Sequence, residues 1–157
     1  MVKIVPSVIT DCQEIAENMR EQDRIELELS NGYAPLQALV LSHAMSQECN
    51  TVLLDDVPVG MFGVVPNGMF SAPWLLGTKG LESLPITLVK IGKQWVEETN
   101  DKHPLLINYV HKDNTVAIEW LKHLGFKFIR LYDKHGVGQA PFYQFVRIKE
   151  CVTQFTT

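Results

Sequence analysis

Side chains able to exchange protons or bind polar groups gather in three stretches. One is the run LLINYVHKDNTVAIEWLKHLGFKFIR, which ends at Arg130 and places Asn108, Tyr109, His111, Asp113 and Asn114 close together. A His, a carboxylate or a Tyr near a cleft can act as general acid or base. The second is the charged stretch MREQDRIELELS, with Arg20, Glu21, Asp23, Arg24, Glu26 and Glu28. It reads either as a solvated helix face with local ion pairs or as an acidic residue overhanging a cleft. The third is Leu76-Gly77-Thr78-Lys79-Gly80-Leu81, a short glycine-flanked loop ahead of a helical pattern. Metal chemistry is not expected, because Cys12, Cys49 and Cys151 show no C-x-x-C spacing. The same three cysteines argue against a disulfide framework and fit a reducing compartment.

The elements that must hold these residues follow from periodicity. The apolar run Leu105, Leu106, Ile107, Tyr109 and Val110 suits a buried strand. Asn114 stands where a helix N-cap belongs. Val116, Ala117, Trp120, Leu121 and Leu124 then form one apolar stripe. Gly125 follows at the helix end, and Phe126, Phe128 and Ile129 open the next strand. Earlier, Val2–Val5 reads as a strand ended by Pro6. Thr10 or Asp11 is expected to cap a helix carrying Cys12, Ile15, Ala16 and Met19. Asn31-Gly32 marks a turn, and Pro35 opens a second helix. Strands at Thr51–Asp55 and Val59–Val65 make a hairpin, and Met69–Leu76 is a third strand broken by Pro73. Ser83 is expected to cap the helix containing Pro85, Leu88, Ile91, Trp95 and Val96. Two strands, Phe126–Asp133 and Pro141–Ile148, close the order β-α-α-β-β-β-α-β-α-β-β. A single domain over residues 1–157 is expected, with residues 152–157 a frayed tail.

With 157 residues and 46% hydrophobic content, the chain can bury a proper core. Its net charge of −4 supplies no electrostatic footprint for nucleic acid. No apolar run approaches a membrane span, and the N-terminus is too soon interrupted by Pro6 to read as a signal peptide.

The helix and its flanks resemble the last conserved motif of the GCN5-related N-acetyltransferases, the GNAT superfamily. Asn114, Ala117, Gly125 and Phe126 match that motif in register, and Leu121 stands at its Tyr position. The element order agrees from end to end. The resemblance implies an α+β, α/β/α layered GNAT-like acyl-CoA N-acyltransferase fold: a mixed sheet of about six or seven strands with about four helices. It also implies acetyl-CoA as cofactor, lying where the fourth strand splays from the fifth, and an amine as acceptor. The cofactor-binding residues it implies are Leu76, Gly77, Thr78, Lys79, Gly80 and Leu81 in the loop, with Asn108, Asn114 and Ala117. The loop departs from the family's signature, lacking its leading Arg or Gln and its glycine spacing. Leu121 has no proton for a leaving thiolate, so Tyr109, Tyr132 or a water must substitute. For a base, Glu26, Glu28, His111 and Asp113 are the candidates; the catalytic set is Tyr109, His111 and Glu26.

At a finer grain, MREQDRIELELSNGY, PVGMFGV, PWLLGT and NYVHKDNTVAIEWLKHLGFKF resemble a family of small GNAT-like virion or morphogenesis proteins of short-tailed podophages. That resemblance implies a phage protein in the host cytoplasm or the virion. Its partners are then acetyl-CoA and an amine, or phage and host proteins if the fold serves assembly without catalysis.

Overall fold

A computed structural model describes residues 1–149. The chain runs β1 (Val2–Pro6), α1 (Ile9–Glu17), α2 (Glu21–Ser30), α3 (Pro35–Met45), β2 (Glu48–Leu54), β3 (Val57–Asn67) and β4 (Phe70–Gly77). It continues with α4 (Lys79–Glu82), α5 (Pro85–Lys102), β5 (Leu105–His111), α6 (Thr115–His123), β6 (Lys127–His135) and β7 (Ala140–Ile148). The frayed tail expected at residues 152–157 lies outside the described residues.

The seven strands form one sheet in the order β1-β2-β3-β4-β5-β7-β6. All neighbours are antiparallel except β4 and β5, which pair in parallel at a single position, Ser71 opposite Leu106. Because strand side chains alternate between faces, β3 feeds two cores. Met61 packs with Cys12, Ile15, Ala16, Met19, Ala38 and Leu39 of α1, its flank and α3. Phe62 and Val64 point the other way, onto the layer containing Trp95 and Val96 of α5 and Leu121 of α6.

Local chemistry explains most boundaries. Asp55 and Asp56 both adopt positive φ, 49° and 66°, as a tight hairpin between β2 and β3 requires. Gly125 takes φ +86° after α6, so its N–H reaches Lys122 O and the Phe126 N–H reaches Leu121 O. This paired closure satisfies the last carbonyls of the helix.

Several boundaries differ from those expected. Asp11 lies inside α1 and accepts the Val8 N–H at 3.0 Å, so neither it nor Thr10 is the N-cap. The helices number six among the described residues, because the charged stretch forms its own helix and a short α4 precedes α5. The break between α1 and α2 has a clear cause. Met19 bridges Thr78, and the Arg20 N–H reaches Gly77 O at 2.8 Å, drawing the chain out of helical register. The Arg24 guanidinium then covers the carbonyls of Ala16 and Met19 at 3.1 and 3.2 Å, closing the end of α1. Ser83 ends α4, its hydroxyl bonding Gly80 O, rather than starting α5. Pro73 does not break β4; it lies opposite Val64 within the strand.

The β6–β7 turn docks on the end of α2. Val137 and Gly138 donate their N–H groups to Ser30 O and Leu29 O at 3.0 and 2.8 Å. Gly136 has φ +72°, and a Cβ there would stand 2.5 Å from Leu29 O. Gly136→Ala therefore meets both backbone strain and a rigid clash. It is expected to lower unfolding stability by about 1–3 kcal/mol, read in urea as a lower midpoint at unchanged slope.

Candidate active site

The candidate site is the gap between β4 and β5. Alternate residues of a strand turn their main-chain groups toward alternate neighbours. On β4 the set facing β5 is Ser71, Pro73, Leu75 and Gly77. Ser71 pairs with β5. Pro73 has no N–H to give, and its carbonyl instead accepts the Asn108 side-chain amide at 2.8 Å. Asn108 Oδ1 also accepts the N–H of Tyr109 at 2.8 Å, so this side chain closes the root of the gap. Beyond it the strands part, and the Leu75 main-chain groups face an open slot.

The far end of the slot is bridged by α2. Asp23 accepts the Gly77 N–H at 3.0 Å, while the Arg20 N–H bonds Gly77 O. One helical turn on, Glu26 Oε1 accepts the His111 N–H and the Asn114 side-chain amide, each at 2.9 Å. Residues three apart share a helix face, so one turn of α2 holds β4 with Asp23 and β5 with Glu26. Arg20 is 9% exposed and lies between Asp23 at 3.8 Å and Glu82 at 3.1 Å. Burial pushes the Glu26 carboxyl up to about 7, against the lowering effect of its bonds from Asn114 and His111. Burial likewise raises Asp23 to about 6, offset in part by Arg20 and the Gly77 N–H.

The slot belongs to a larger cleft of about 1180 Å³ that reaches Tyr33, Trp74 and Tyr109 on one side and Pro85, Lys90 and Trp120 on the other. That volume exceeds the upper end of typical small-molecule sites, about 1,000 Å³. Glu26, Tyr109, Asn108, Asn114, Ala117, Leu76 and Leu81 all line it. Asn114 is 1% exposed, with Nδ2 on Glu26 and Oδ1 accepting the Ala117 N–H at 3.4 Å. Its polar ends therefore serve the base and the helix cap. Tyr109 stacks on His135 at 4.2 Å between centroids, and its hydroxyl oxygen accepts from Gln144 at 3.1 Å. Its own O–H proton is left to give. Leu121 is buried, as a core residue is.

His111 enters the site through its main chain and not its imidazole. The ring is buried, packs edge-on to Phe142 at 5.2 Å, and is not among the residues lining the cleft. The loop Leu76–Leu81 is also tied into the protein itself. Gly77 is held by α2, the Gly80 N–H bonds Thr78 Oγ1, and the Leu81 N–H bonds Thr78 O. Leu76 and Leu81 are core side chains, and Lys79 alone in this loop is exposed. An anion would meet open donors slightly later, at α5. There Pro85 occupies the first turn, the Leu88 N–H closes back on Leu84 O, and Ile86 and Thr87 N–H have no helical partner.

Sequence reasoning named Arg20 and Asp23 only as part of a charged stretch, and it did not find Leu75, Tyr33, Trp74 or His135. For Asp23 a signal existed: its three-residue spacing from Glu26 puts both carboxylates on one face.

No protein-family model and no curated protein sequence matches the chain. Solved structures do. The ribosomal-protein-S18-alanine N-acetyltransferase of Escherichia coli aligns over 100% of this chain and 99% of its own, with TM-score 0.68 and 9% identity. Ard1 from Thermoplasma volcanium aligns over 96% of this chain and 99% of its own, with TM-score 0.70 and 15% identity. A NatC complex bound to Gag peptide and CoA matches with TM-score 0.63 and 12% identity, over 95% of this chain and 99% of the other. At these identities the likeness is one of fold. The chain has the mixed-sheet, α+β acyl-CoA N-acyltransferase fold of the GNAT proteins.

The bridge across the slot makes a prediction about both of its ends. Asp23→Ala removes the acceptor of the Gly77 N–H, a bond worth about 1–3 kcal/mol to a charged group. Amide exchange at Gly77 should speed by about 10–100-fold. The His111 N–H, on the opposite strand, should lose protection with it, while β2–β3 amides stay unchanged. Loss at Gly77 alone would mean that α2 does not couple the two strands.

Proposed function

We propose that this chain transfers an acyl group from acetyl-CoA to an amine, with Glu26 as the general base. The observation that carries the reading is a carboxyl raised to about 7 at the mouth of a strand splay, held by Asn114 and the His111 N–H. A base poised near the working pH takes a proton readily and is still ionised often enough to act.

The chemistry of the residues present supports acetyl-CoA as the cofactor. The Leu75 main chain and Asn108 would hold an extended amide arm in the slot. The free N–H groups of Ile86 and Thr87, at the positive end of α5, suit its diphosphate. Lys90 lines the cleft one turn further along that helix. Glu82 would oppose an anion there, but Arg20 pairs with it at 3.1 Å. When bound, acetyl-CoA supplies a thioester carbon open to attack by an amine. An amine nitrogen would form its bond to that carbon as the carbon–sulfur bond breaks. Glu26 takes the proton released from nitrogen. The Leu75 N–H is placed to donate to an oxygen in the slot. Tyr109 can return a proton to the leaving sulfur, a role for which Leu121 has no group.

A second reading is a GNAT-like protein of a short-tailed phage that binds a virion or host partner without catalysis, in the virion or the host cytoplasm. Two observations favour it: Leu121 at the motif's Tyr position, and the occupied N–H groups of Gly77, Gly80 and Leu81.

Acetyl-CoA titration separates the two. Acyl transfer requires a melting temperature that climbs with ligand concentration; no shift at millimolar ligand favours the second reading. Glu26→Gln keeps an oxygen for both donors but no base, so kcat should fall by about 10²–10⁴ while acetyl-CoA affinity holds. The wild-type rate should rise through pH 7 and level above it, and this rise should vanish in the variant. Stability should move the opposite way. The folded pKa of about 7 lies above the ordinary 4.5, so the folded state binds the proton more tightly. The stability that Glu26 contributes is fully present below pH 4.5 and is lost as pH rises through 7. Glu26→Gln should flatten that loss and raise the melting temperature at pH 8; an unchanged slope would refute the raised carboxyl.

A further inference from the structure

The wall of the cleft beside Glu26, on the sheet face that carries α1–α3, has no role in holding the cofactor. Tyr33, Leu41 and Met45 line it from the α2–α3 side, Trp74 from β4 and Tyr109 from β5. Met45 is 62% exposed and Leu41 37%, although both are large and apolar. The two aromatic plates are fixed in place. The Trp74 indole N–H bonds Ser46 Oγ at 2.7 Å, and Ser46 in turn bonds Ser42 O at 2.6 Å. Tyr109 is held by Gln144 and by its stack on His135.

The charges on this wall are few, and each is occupied. Arg20 is paired with Asp23 and Glu82. Asp23 and Glu26 are bonded to the strand ends. Burial lowers the pKa of His135, so its ring is neutral at pH 7. The other charged groups lining the cleft, Lys90 and Glu119 with His123, lie on α5 and α6. A carboxylate or phosphate next to the reacting amine would therefore find no free cation among the described residues lining this wall. A second cationic amine would sit desolvated against rings with no further carboxylate to pair with. An apolar group would meet ready-made aromatic walls that lose little entropy on binding.

We propose that the acceptor is a primary amine carrying a large, uncharged, apolar substituent, lodged between Tyr33, Met45, Trp74 and Tyr109 with its nitrogen at Glu26. This rests on the acyl-transfer reading for its chemistry but not for its binding. The same chemistry is offered by a free arylalkylamine or by a peptide N-terminus beginning with a large apolar residue.

The test uses the full chain and four acceptors: 2-phenylethylamine, a peptide beginning Met-Leu, a peptide beginning Asp-Asp, and spermidine. With acetyl-CoA, at least one of the first two should exceed both polar acceptors in kcat/KM by about 10–200-fold, the range one apolar group commands in a pocket. Which of the two leads identifies the source of the amine. Calorimetry without acetyl-CoA gives a second readout. Binding of the preferred apolar amine should weaken at least tenfold in Trp74→Ala and in Met45→Glu, with acetyl-CoA affinity retained. Spermidine or the Asp-Asp peptide performing equally well would overturn the proposal while leaving acyl transfer standing. Apolar amine binding that the two substitutions abolish, with no turnover at all, would uphold the pocket and reject acyl transfer. Amine binding untouched by both substitutions would overturn the pocket.

Discussion

One turn of α2 spans the place where two neighbouring strands come apart. Asp23 holds the end of β4, Glu26 holds the end of β5 and the start of α6, and the distance between them is that of a single helical turn. Pro73 and Asn108 close the root of the same gap. Between these two fixed ends the strands cannot zip together, because β4's last inward-facing main-chain groups are already bonded to α2. The slot is thus a built feature and not a packing defect. The rest of the molecule supports it: Arg24 ends α1 so that α2 can turn across the sheet, and the β6–β7 turn clamps the far end of α2.

The arrangement is costly in stability. Two carboxyls are drawn out of water within one helical turn, and each is raised by that burial. Each is answered by hydrogen bonds from main chain or amide, and Asp23 also by Arg20, which keeps the pair from being an uncompensated buried charge. Buried carboxyls raised in this way gather where a fold carries chemistry. Asp23 and Glu26 do different things with the same environment. Asp23 is ion-paired with a guanidinium at 3.8 Å, accepts a backbone N–H, and is chiefly a brace. Glu26 has only neutral donors, so its proton affinity rises further, into the range where proton transfer is useful.

Much of the fold was legible in the residues. The strand–helix–strand unit around Asn114 was plain from its cap, its apolar stripe and Gly125, because these are local signals. The succession of seven strands along the chain is as expected, and the fourth and fifth strands part as the GNAT resemblance implied. What was not legible depends on contacts between distant residues. The stretch after Met19 is dominated by charged residues and reads either as a solvated helix face or as an acidic residue over a cleft. Glu26 is legible as a candidate base, but nothing local says that Arg20 and Asp23 turn inward to meet Gly77, or that Glu26 is held by His111 and Asn114. The turn of α4 hid the true start of α5, and so the open N–H groups of Ile86 and Thr87. His111 carries the right functional group, but Phe142 covers its ring and only its main chain reaches Glu26.

The most direct measurement is an amide NMR titration of the isotope-labelled chain with acetyl-CoA. If the slot admits the cofactor's arm, the Leu75 and Asn108 amides should shift saturably with Ile86 and Thr87 at the start of α5. Saturation that leaves Leu75 and Asn108 unmoved, or no response at any of the four, would contradict an acyl-carrying arm between β4 and β5.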